Sequence, residues 1–275
     1  QLICEKENND SLTLICLIDF AWEQMYVNAD YAIYLANEAL KIAETKKLFV
    51  ATGIAKNTMG VIFWNQDNYP KALSCFQEAL KIYEKYNQQQ YIASTSTNLS
   101  NLYSSLKEYE KALAYNNAVL NYRIKSNDTI RLAKSYDNRA ILMSYTAKVD
   151  SALFYHHKAL DLFKKKNLLR ETGLCYNNIG FAYYVINDSL SALENFKESY
   201  SYAKQADDYS LLANNLMNMA VINIKLNKKD SAEKLIMQSM ELCKQLNHID
   251  LLSQGYSNLS NLYSEKKDFK TALLY

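Results

Sequence analysis

A single small residue recurs along this chain at a fixed interval of forty positions. The series runs without an insertion through Ala32, Ala72, Ala112, Ala152, Ala192, Ala232 and Ala272. Repetition with a period of 20–50 residues is typical of repeat proteins, in which each unit buries its apolar face against the next. The chain of 275 residues is therefore expected to form a solenoid of stacked units.

Each unit reads as two helices joined by a short turn. In residues 51–87, a first helix is predicted near residues 50–65, a turn at Gln66–Asn68 and a second helix from about Tyr69. The turn supplies side chains that can accept hydrogen bonds from the free N–H groups of the second helix, and Pro70 fits its first turn. The whole chain has one proline and five glycines, so little interrupts the helices and an all-α fold is expected.

Small and large side chains alternate at helical spacing within the units. The middle of the first helix carries a small residue in six successive units, as close contact between two helix backbones requires: Gly60, Ser100, Ala140, Gly180, Ala220 and Ser260. Three positions later, four of the six units carry an aromatic residue: Phe63, Tyr103, Tyr183 and Tyr263.

This arrangement, together with the alanine near the start of the second helix, resembles the tetratricopeptide repeat family. The resemblance covers nearly the whole chain, although Met143 and Asn223 depart from the aromatic column. It implies a right-handed superhelical solenoid of about seven helix-turn-helix repeats in a single domain. The forty-residue repeat is longer than usual and lacks the usual proline after the second helix. It is similar to the long-helix branch that includes bacterial regulators of the Rap and PlcR type and the animal LGN scaffold.

The repeats are expected at about residues 12–48, 49–88, 89–128, 129–168, 169–208, 209–248 and 249–275. The first is irregular, with helices predicted over residues 12–28 and 30–46. The last stops at Tyr275, and a solenoid end without a polar cap exposes an apolar face. The natural chain is therefore expected to continue beyond residue 275. It begins with Gln1 rather than Met, which indicates that a preceding segment has been removed.

Composition excludes several classes of partner. The 31 Lys and Arg residues nearly balance the 29 Asp and Glu residues, so the net charge of +2 disfavours a nucleic acid or an anionic membrane surface as partner. The longest apolar stretch, residues 12–20, is interrupted by Asp19 and is about half as long as a membrane span. No membrane span is expected.

Metal sites and cofactors are not expected either. The five cysteines are widely spaced and form no Cys-x-x-Cys pair, so they are interpreted as small buried apolar residues: Cys4, Cys16, Cys75, Cys175 and Cys243. His156 and His157 are adjacent on a second helix, where their side chains point about 100° apart, so a metal shared between them is not expected.

A column of asparagines is the strongest functional signal. Two positions before the small residue of the first helix stand Asn98, Asn138, Asn178, Asn218 and Asn258, with Thr58 alone breaking the run. Two positions correspond to a rotation of about 200°, which turns these side chains away from the helix contact and towards an inner groove. Asparagine is abundant, with 28 residues in the chain, so inheritance through repeat duplication and bonding to a neighbouring helix remain alternatives.

An asparagine amide can bond both the C=O and the N–H of an extended peptide. First helices about 10 Å apart meet a strand rising about 3.3 Å per residue at every third residue. Asparagine ladders of this kind are what the resemblance to peptide-binding tetratricopeptide proteins implies at these positions. Because neutral hydrogen bonds of about 1 kcal/mol each cannot outweigh the cost of association, anchors are also needed.

Helical spacing places the candidate anchors on the same face as the asparagines. They include Lys134, Ile141, Tyr145, Leu174, Phe181, Val185, Asn214, Val221 and Lys225. The two lysines are available for a carboxylate of the ligand. Arg139 interrupts an apolar column and is expected to pair with Asp137 or with an acid on a neighbouring helix.

Three functions fit these features. The favoured one is a non-enzymatic sensory or adaptor module that binds a peptide or protein segment and belongs to a larger bacterial signalling or transcription-regulatory protein, on the cytoplasmic or periplasmic side. The second is a structural scaffold that assembles a complex through its outer surface, and a homo-oligomer through the solenoid ends is a further expectation. The third is a phosphatase-like regulator of the Rap type, which needs an additional helical domain. The chain has no His-Glu-x-x-His, Gly-rich phosphate loop or Gly-x-Ser-x-Gly motif, so an enzyme is not expected.

Overall fold

The computed structural model describes residues 10–275, and this part of the chain consists of helices and short turns. Within it, fourteen α-helices follow one another without a β-strand. Their bounds are α1 Asp10–Gln24, α2 Ala29–Thr45, α3 Phe49–Asn65, α4 Tyr69–Lys85, α5 Gln89–Ser105, α6 Tyr109–Lys125, α7 Thr129–Tyr145, α8 Val149–Lys165, α9 Leu169–Val185, α10 Ser189–Gln205, α11 Tyr209–Lys225, α12 Lys229–Gln245, α13 Ile249–Glu265 and α14 Phe269–Ala272. The predicted all-α class of consecutive helix-turn-helix repeats is confirmed.

The helices are uniform in length: each helix from α2 to α13 has 17 residues. Odd-numbered helices are the first helices of the repeats and even-numbered helices are the second. Each is followed by a three-residue turn. The recurring alanines from Ala32 to Ala232 are fully buried in the second helices.

The chain divides into two compact units, one ending at Asp128 and the other beginning at Thr129. In the first unit, helices α1 to α6 pack against their neighbours in sequence, and each first helix also packs against the next first helix, α1 against α3 and α3 against α5. One of its cores is formed by α1, α2 and α3 around Met25, Leu35 and Ile62. The interior is therefore a row of local clusters between successive helices, as expected for a repeat protein.

The second unit contains helices α7 to α14, which pack in the same way. Its cores include a cluster around Phe163 and Ile179, a cluster around Phe196 and Ile222, and a cluster around Met217. These side chains come from first and second helices of adjacent repeats. The first helices are thereby held side by side within this unit.

Side chains in the turns fix where several helices begin. Asn68 caps α4 by accepting a hydrogen bond from the Lys71 N–H, and Pro70 lies in the first turn of that helix, as the sequence predicts. The first repeat differs from its prediction because α1 ends at Gln24 rather than at residue 28. Asn28 instead caps α2 by accepting a hydrogen bond from the Tyr31 N–H at 3.1 Å.

None of the helices in the described residues has both the length and the hydropathy needed to cross a bilayer.

Candidate functional site

The five predicted asparagines occupy equivalent positions on the first helices. Asn98 lies on α5 of the first unit, and Asn138, Asn178, Asn218 and Asn258 lie on α7, α9, α11 and α13 of the second. We call these five residues the asparagine column. Every member is partly exposed.

Three members of the asparagine column also bond inwards to the preceding repeat. The Asn98 amide donates to Asn57 Oδ1 at 3.1 Å, and the Asn258 amide donates to Met217 Sδ at 3.3 Å. The Asn178 amide donates to both carboxylate oxygens of Asp137, at 3.5 and 3.3 Å. In each case the acceptor stands forty-one positions earlier. The alternative that these residues bond a neighbouring helix is thus realised at three positions.

This inward bond does not use all the hydrogen-bonding groups of the amide. An asparagine side chain has two N–H donors and a carbonyl oxygen with two lone pairs, and the bond to the preceding repeat uses a single donor. The carbonyl oxygen and a second N–H remain on each of these amides. A side chain held at one end in this way presents its remaining groups in a fixed direction.

The predicted anchors lie on the same face of the first helices, with varied surroundings. Tyr145 and Phe181 are exposed large side chains, at 56% and 49% of their full accessible surface. The Asn214 amide donates to the Ser210 carbonyl of its own helix at 3.1 Å. Lys134 forms an exposed ion pair with Glu171 at 3.3 Å, an interaction that typically contributes only about 0–1 kcal/mol.

A cleft of about 490 Å³ opens between helices α9, α11 and α13 of the second unit. It brings together two residues of the predicted site, Asn258 and Lys225, with the predicted anchor Val221 and with Tyr184. The Lys225 ammonium group lies 3.9 Å from the centre of the Tyr184 ring and donates to Asn187 Oδ1 at 3.3 Å. The cleft therefore combines an amide, a held cation and an apolar wall.

A second cleft, of about 570 Å³, lies between α1 and α3 in the first unit. Its walls are mostly apolar and include Leu14, Ile18 and Phe49. It contains no member of the asparagine column.

Polar side chains continue beneath the asparagine column into the interior of the second unit. His156 Nδ1 lies 2.7 Å from Asp137 Oδ1, and the Cys175 thiol donates to the His156 backbone carbonyl at 3.2 Å. His156 and Cys175 are buried, and burial raises the pKa of the Cys175 thiol well above its usual range. The Asp137 carboxylate lies against His156 and accepts a hydrogen bond from Asn178, and the Arg139 guanidinium lies 4.9 Å from the centre of the Tyr155 ring. The pairing of Arg139 with an acid stays a prediction.

The next repeat carries an equivalent network. The Asn177 amide donates to Asn215 Oδ1 at 2.9 Å, the Asn215 amide donates to Ser199 Oγ at 2.8 Å, and the Ser199 hydroxyl donates to the Gly173 carbonyl at 2.7 Å. Sequence reasoning missed both networks because it treated each column separately. The signal was the polar residue directly before two members of the asparagine column, Asp137 before Asn138 and Asn177 before Asn178.

The cysteines fit their prediction in part. Cys75, Cys175 and Cys243 are free and buried, as expected for small apolar side chains. Cys16 is only partly buried and is disulfide-bonded, so its interpretation as a buried thiol is wrong. Cys4 lies outside the described residues.

Comparison with known families assigns the repeats. The family model described as "Tetratricopeptide repeat" matches residues 51–125. No curated protein sequence matches the chain. Residues 51–125 thus match the tetratricopeptide repeat model, and the helix pairs on either side of them have the same helix lengths and turns.

Solved structures share this fold at low sequence identity. The apo form of RapI is 14% identical with a TM-score of 0.77, and the alignment covers 96% of this chain and 94% of RapI. Aspartyl phosphate phosphatase F from Bacillus subtilis is 15% identical with a TM-score of 0.73, over 96% of this chain and 69% of that protein. A Rap protein in complex with Competence and Sporulation Factor is 15% identical with a TM-score of 0.64, over 95% and 78% of the two chains.

Proposed function

We propose that this tetratricopeptide repeat protein is a non-enzymatic binding module that holds an extended peptide or protein segment against the asparagine column of its second unit, formed by Asn138, Asn178, Asn218 and Asn258. The observation that carries the proposal is the exposure and hydrogen bonding of the asparagine column. These four equivalent amides are partly exposed, and at Asn178 and Asn258 the inward bond leaves a carbonyl oxygen and an N–H for a ligand. An extended backbone offers the complementary N–H and C=O groups.

The second unit provides the longest run of the column, with four asparagines on alternate helices. Helices in contact lie about 8–10 Å apart, so asparagines on successive first helices recur at about the rise of three extended residues. A backbone held in this way is recognised without regard to its side chains. The ligand class is therefore an extended segment rather than a folded surface.

Anchor side chains supply the binding free energy that the amides alone do not provide. Each neutral hydrogen bond contributes about 1 kcal/mol, which is small against the entropy lost on association. Phe181 offers an exposed ring, and the cleft beside Asn258 offers an apolar wall at Val221 and a cation at Lys225. An apolar side chain of the ligand fits this wall, and a ligand carboxylate fits Lys225.

We further propose that the module is the sensory or adaptor region of a bacterial signalling or regulatory protein. The likeness to Rap proteins, one of which is in complex with Competence and Sporulation Factor, supports this assignment. At these identities the likeness concerns the fold. A sensory or adaptor role requires peptide binding, which the following experiment measures.

The test is selection of peptides from a library of random linear dodecamers displayed on phage, followed by binding measurements with the enriched peptides. The variant Asn138→Ala, Asn178→Ala and Asn218→Ala removes three amides of the column. The matched control removes three partly or fully exposed asparagines from second helices: Asn37→Ala, Asn121→Ala and Asn195→Ala. Both variants have the same change of composition.

We expect the wild type and the control variant to bind the enriched peptides with similar affinity. The column variant should bind them at least about tenfold more weakly, because it loses two or three hydrogen bonds of about 1 kcal/mol each. Circular dichroism melting checks that the column variant is folded. Equal binding by a folded column variant would contradict the proposal and favour the outer surface as the docking site.

A further inference from the structure

We propose that Asp137, His156 and Cys175 form a zinc-binding site inside the second unit. The site is distinct from the peptide contacts proposed above and does not depend on them. It uses one residue from each of three successive helices, α7, α8 and α9. Each residue offers one ligand atom, and these atoms all lie within 4.8 Å of one another.

The donor set matches the chemistry of zinc. Imidazole nitrogen, thiolate sulfur and carboxylate oxygen are the three protein ligands that Zn²⁺ prefers, and three protein ligands with one open position are a common arrangement. With Zn–N and Zn–O of about 2.0 Å and Zn–S of about 2.3 Å, tetrahedral geometry separates neighbouring donors by roughly 3.3–3.6 Å. His156 Nδ1 and Asp137 Oδ1 are now 2.7 Å apart, so these donors move apart by less than about 1 Å when a metal enters between them.

The position of His156 is hard to explain by packing alone. The same place in the other second helices is held by apolar residues in four of five cases: Ala36, Phe76, Phe196 and Ile236, with Asn116 as the exception. His156 is 1% exposed, and an imidazole in such a place costs stability unless its polar atoms are used. A metal uses the imidazole, the thiol and the carboxylate together.

Zinc also gives the buried thiol a role. Cys175 is a fully buried free thiol. Zinc binds the thiolate, so the Cys175 proton passes to solvent as the Zn–S bond forms, and no oxidant or reductant is needed. Asp137 is partly exposed, so a water molecule can complete the coordination as the fourth ligand.

Sequence motifs do not reveal such a site. His156 and Cys175 each follow the previous ligand by nineteen positions, which is close to the twenty-residue length of one helix and its turn. Residues at this spacing face one another across neighbouring helices. A search for Cys-x-x-Cys or for neighbouring histidines therefore overlooks them.

In the test, a chelator first removes any metal from the whole chain, which is then titrated with Zn²⁺ or with Co²⁺. We expect one equivalent of zinc to bind and the thermal midpoint to rise with zinc concentration. Co²⁺ should give the near-ultraviolet absorption of a thiolate–cobalt bond and the strong visible bands of a tetrahedral site. Absence of saturable binding, or cobalt spectra without the thiolate band, would overturn the proposal.

The variants copy residues that other repeats use at the same positions, so that the fold is preserved. His156→Ile copies Ile236, and Cys175→Ala copies Ala55. The controls are the exposed neighbour His157→Ala and another buried free thiol, Cys243→Ala. We expect His156→Ile and Cys175→Ala, but neither control, to lose the thiolate–cobalt band and to bind zinc more than about tenfold more weakly. Mutation of residues that merely support a metal ligand already lowers metal affinity about 10–100-fold. Equal zinc binding by all four variants would show that the metal binds elsewhere.

Discussion

At the scale of single residues, the core is built from matched pairs of a small and a large side chain. The pair consists of the small residue of a first helix and the residue sixteen positions later in the second helix. Glycine faces phenylalanine at Gly60 with Phe76 and at Gly180 with Phe196, whereas Ala220 stands opposite Ile236. A Cβ atom added at Gly60 would lie 2.6 Å from the Phe76 ring. The size of one partner therefore limits the size of the other.

We predict that Gly60→Ala destabilises the protein by about 1–2 kcal/mol. Overpacking typically costs about 1–3 kcal/mol, and the gain in helix propensity from glycine to alanine returns up to about 1 kcal/mol. Phe76 is fully buried. Denaturant unfolding followed by circular dichroism measures the change.

The double variant Gly60→Ala with Phe76→Ile, which copies the pair Ala220 and Ile236, should recover most of that loss relative to Phe76→Ile alone. Gly173→Ala is the control. There an added Cβ would lie 3.1 Å from the end of the Leu211 side chain and 3.3 Å from Tyr202 Cβ, so the clash is milder and we expect a smaller loss than at Gly60. Equal losses at the two glycines would contradict the pairing.

At the scale of the helix, the building block is one helix and its turn rather than a helix pair. Within residues 10–275, twelve non-glycine residues have a left-handed backbone, and they recur every twenty positions: Lys47, Asp67, Asn87, Lys107, Asn127, Ala147, Asn167, Asn187, Asp207, Asn227, Asn247 and Lys267. Asparagine tolerates this conformation better than most residues and fills six of the twelve places. Part of the high asparagine content thus belongs to turns.

Ala147 is the least suited of these residues, because its Cβ clashes in the left-handed region and its side chain makes no local hydrogen bond. We predict that Ala147→Gly stabilises the protein by about 0.5–1 kcal/mol. Ala206 is the matched control: it occupies the preceding turn position after α10 with φ of −93°, so Ala206→Gly should destabilise. Thermal midpoints that move in opposite directions confirm the prediction, and a fall in both contradicts it.

Helix caps make stability depend on pH. Asp188 caps α10, where its carboxylate accepts hydrogen bonds from the Ser191 hydroxyl at 2.7 Å and the Ser191 N–H at 3.1 Å, and these bonds lower its pKa below the ordinary 3.8. A carboxyl with a lowered pKa in the folded state stabilises the protein above its ordinary pKa, and this contribution disappears as the pH falls through the folded value.

We therefore expect Asp188→Ala to lower the thermal midpoint at pH 7 and to lower it less at a pH below the ordinary 3.8, because the stabilisation by the carboxylate is lost as the pH falls through the folded pKa. Asp150→Ala is a suitable control, because Asp150 lies in the first turn of α8 but is not its capping residue. An Asp188→Ala effect that is the same at both pH values would show that the cap acts without its charge.

The elements that sequence patterns could predict are those controlled by one residue at a time. The buried alanine of each second helix and the capping role of Asn68 needed no knowledge of partners. Two features depended on residues that meet only in three dimensions. The Asp137–His156 contact joins two helices, and the inward bond of Asn178 joins two repeats. A single column shows neither, because the partner stands in another column.

At the scale of the whole molecule, each unit is held together by contacts between successive helices and between alternate ones. Stability in such a chain is approximately a sum of terms from each repeat and its nearest neighbours. Residues 129–275 contain complete partners for α7 to α13, and their cores include the clusters around Phe163, Phe196 and Met217. The second unit should therefore keep its structure when it is produced alone.

We predict that residues 129–275 are helical and melt cooperatively, whereas residues 149–275, which lack α7, are less stable by several kcal/mol. Removal of α7 exposes the face of α8 that buries Ala152, Leu160 and Phe163, and burial of each large side chain contributes about 1.5–3 kcal/mol. In a chain of this size, each 1 kcal/mol lowers the thermal midpoint by about 2–4 °C. Because both fragments keep α9 to α13, a difference between their melting curves reports the packing of one helix pair. Equal midpoints would mean that α7 and α8 do not stabilise each other, and the forty-residue repeat would then not be the unit of stability.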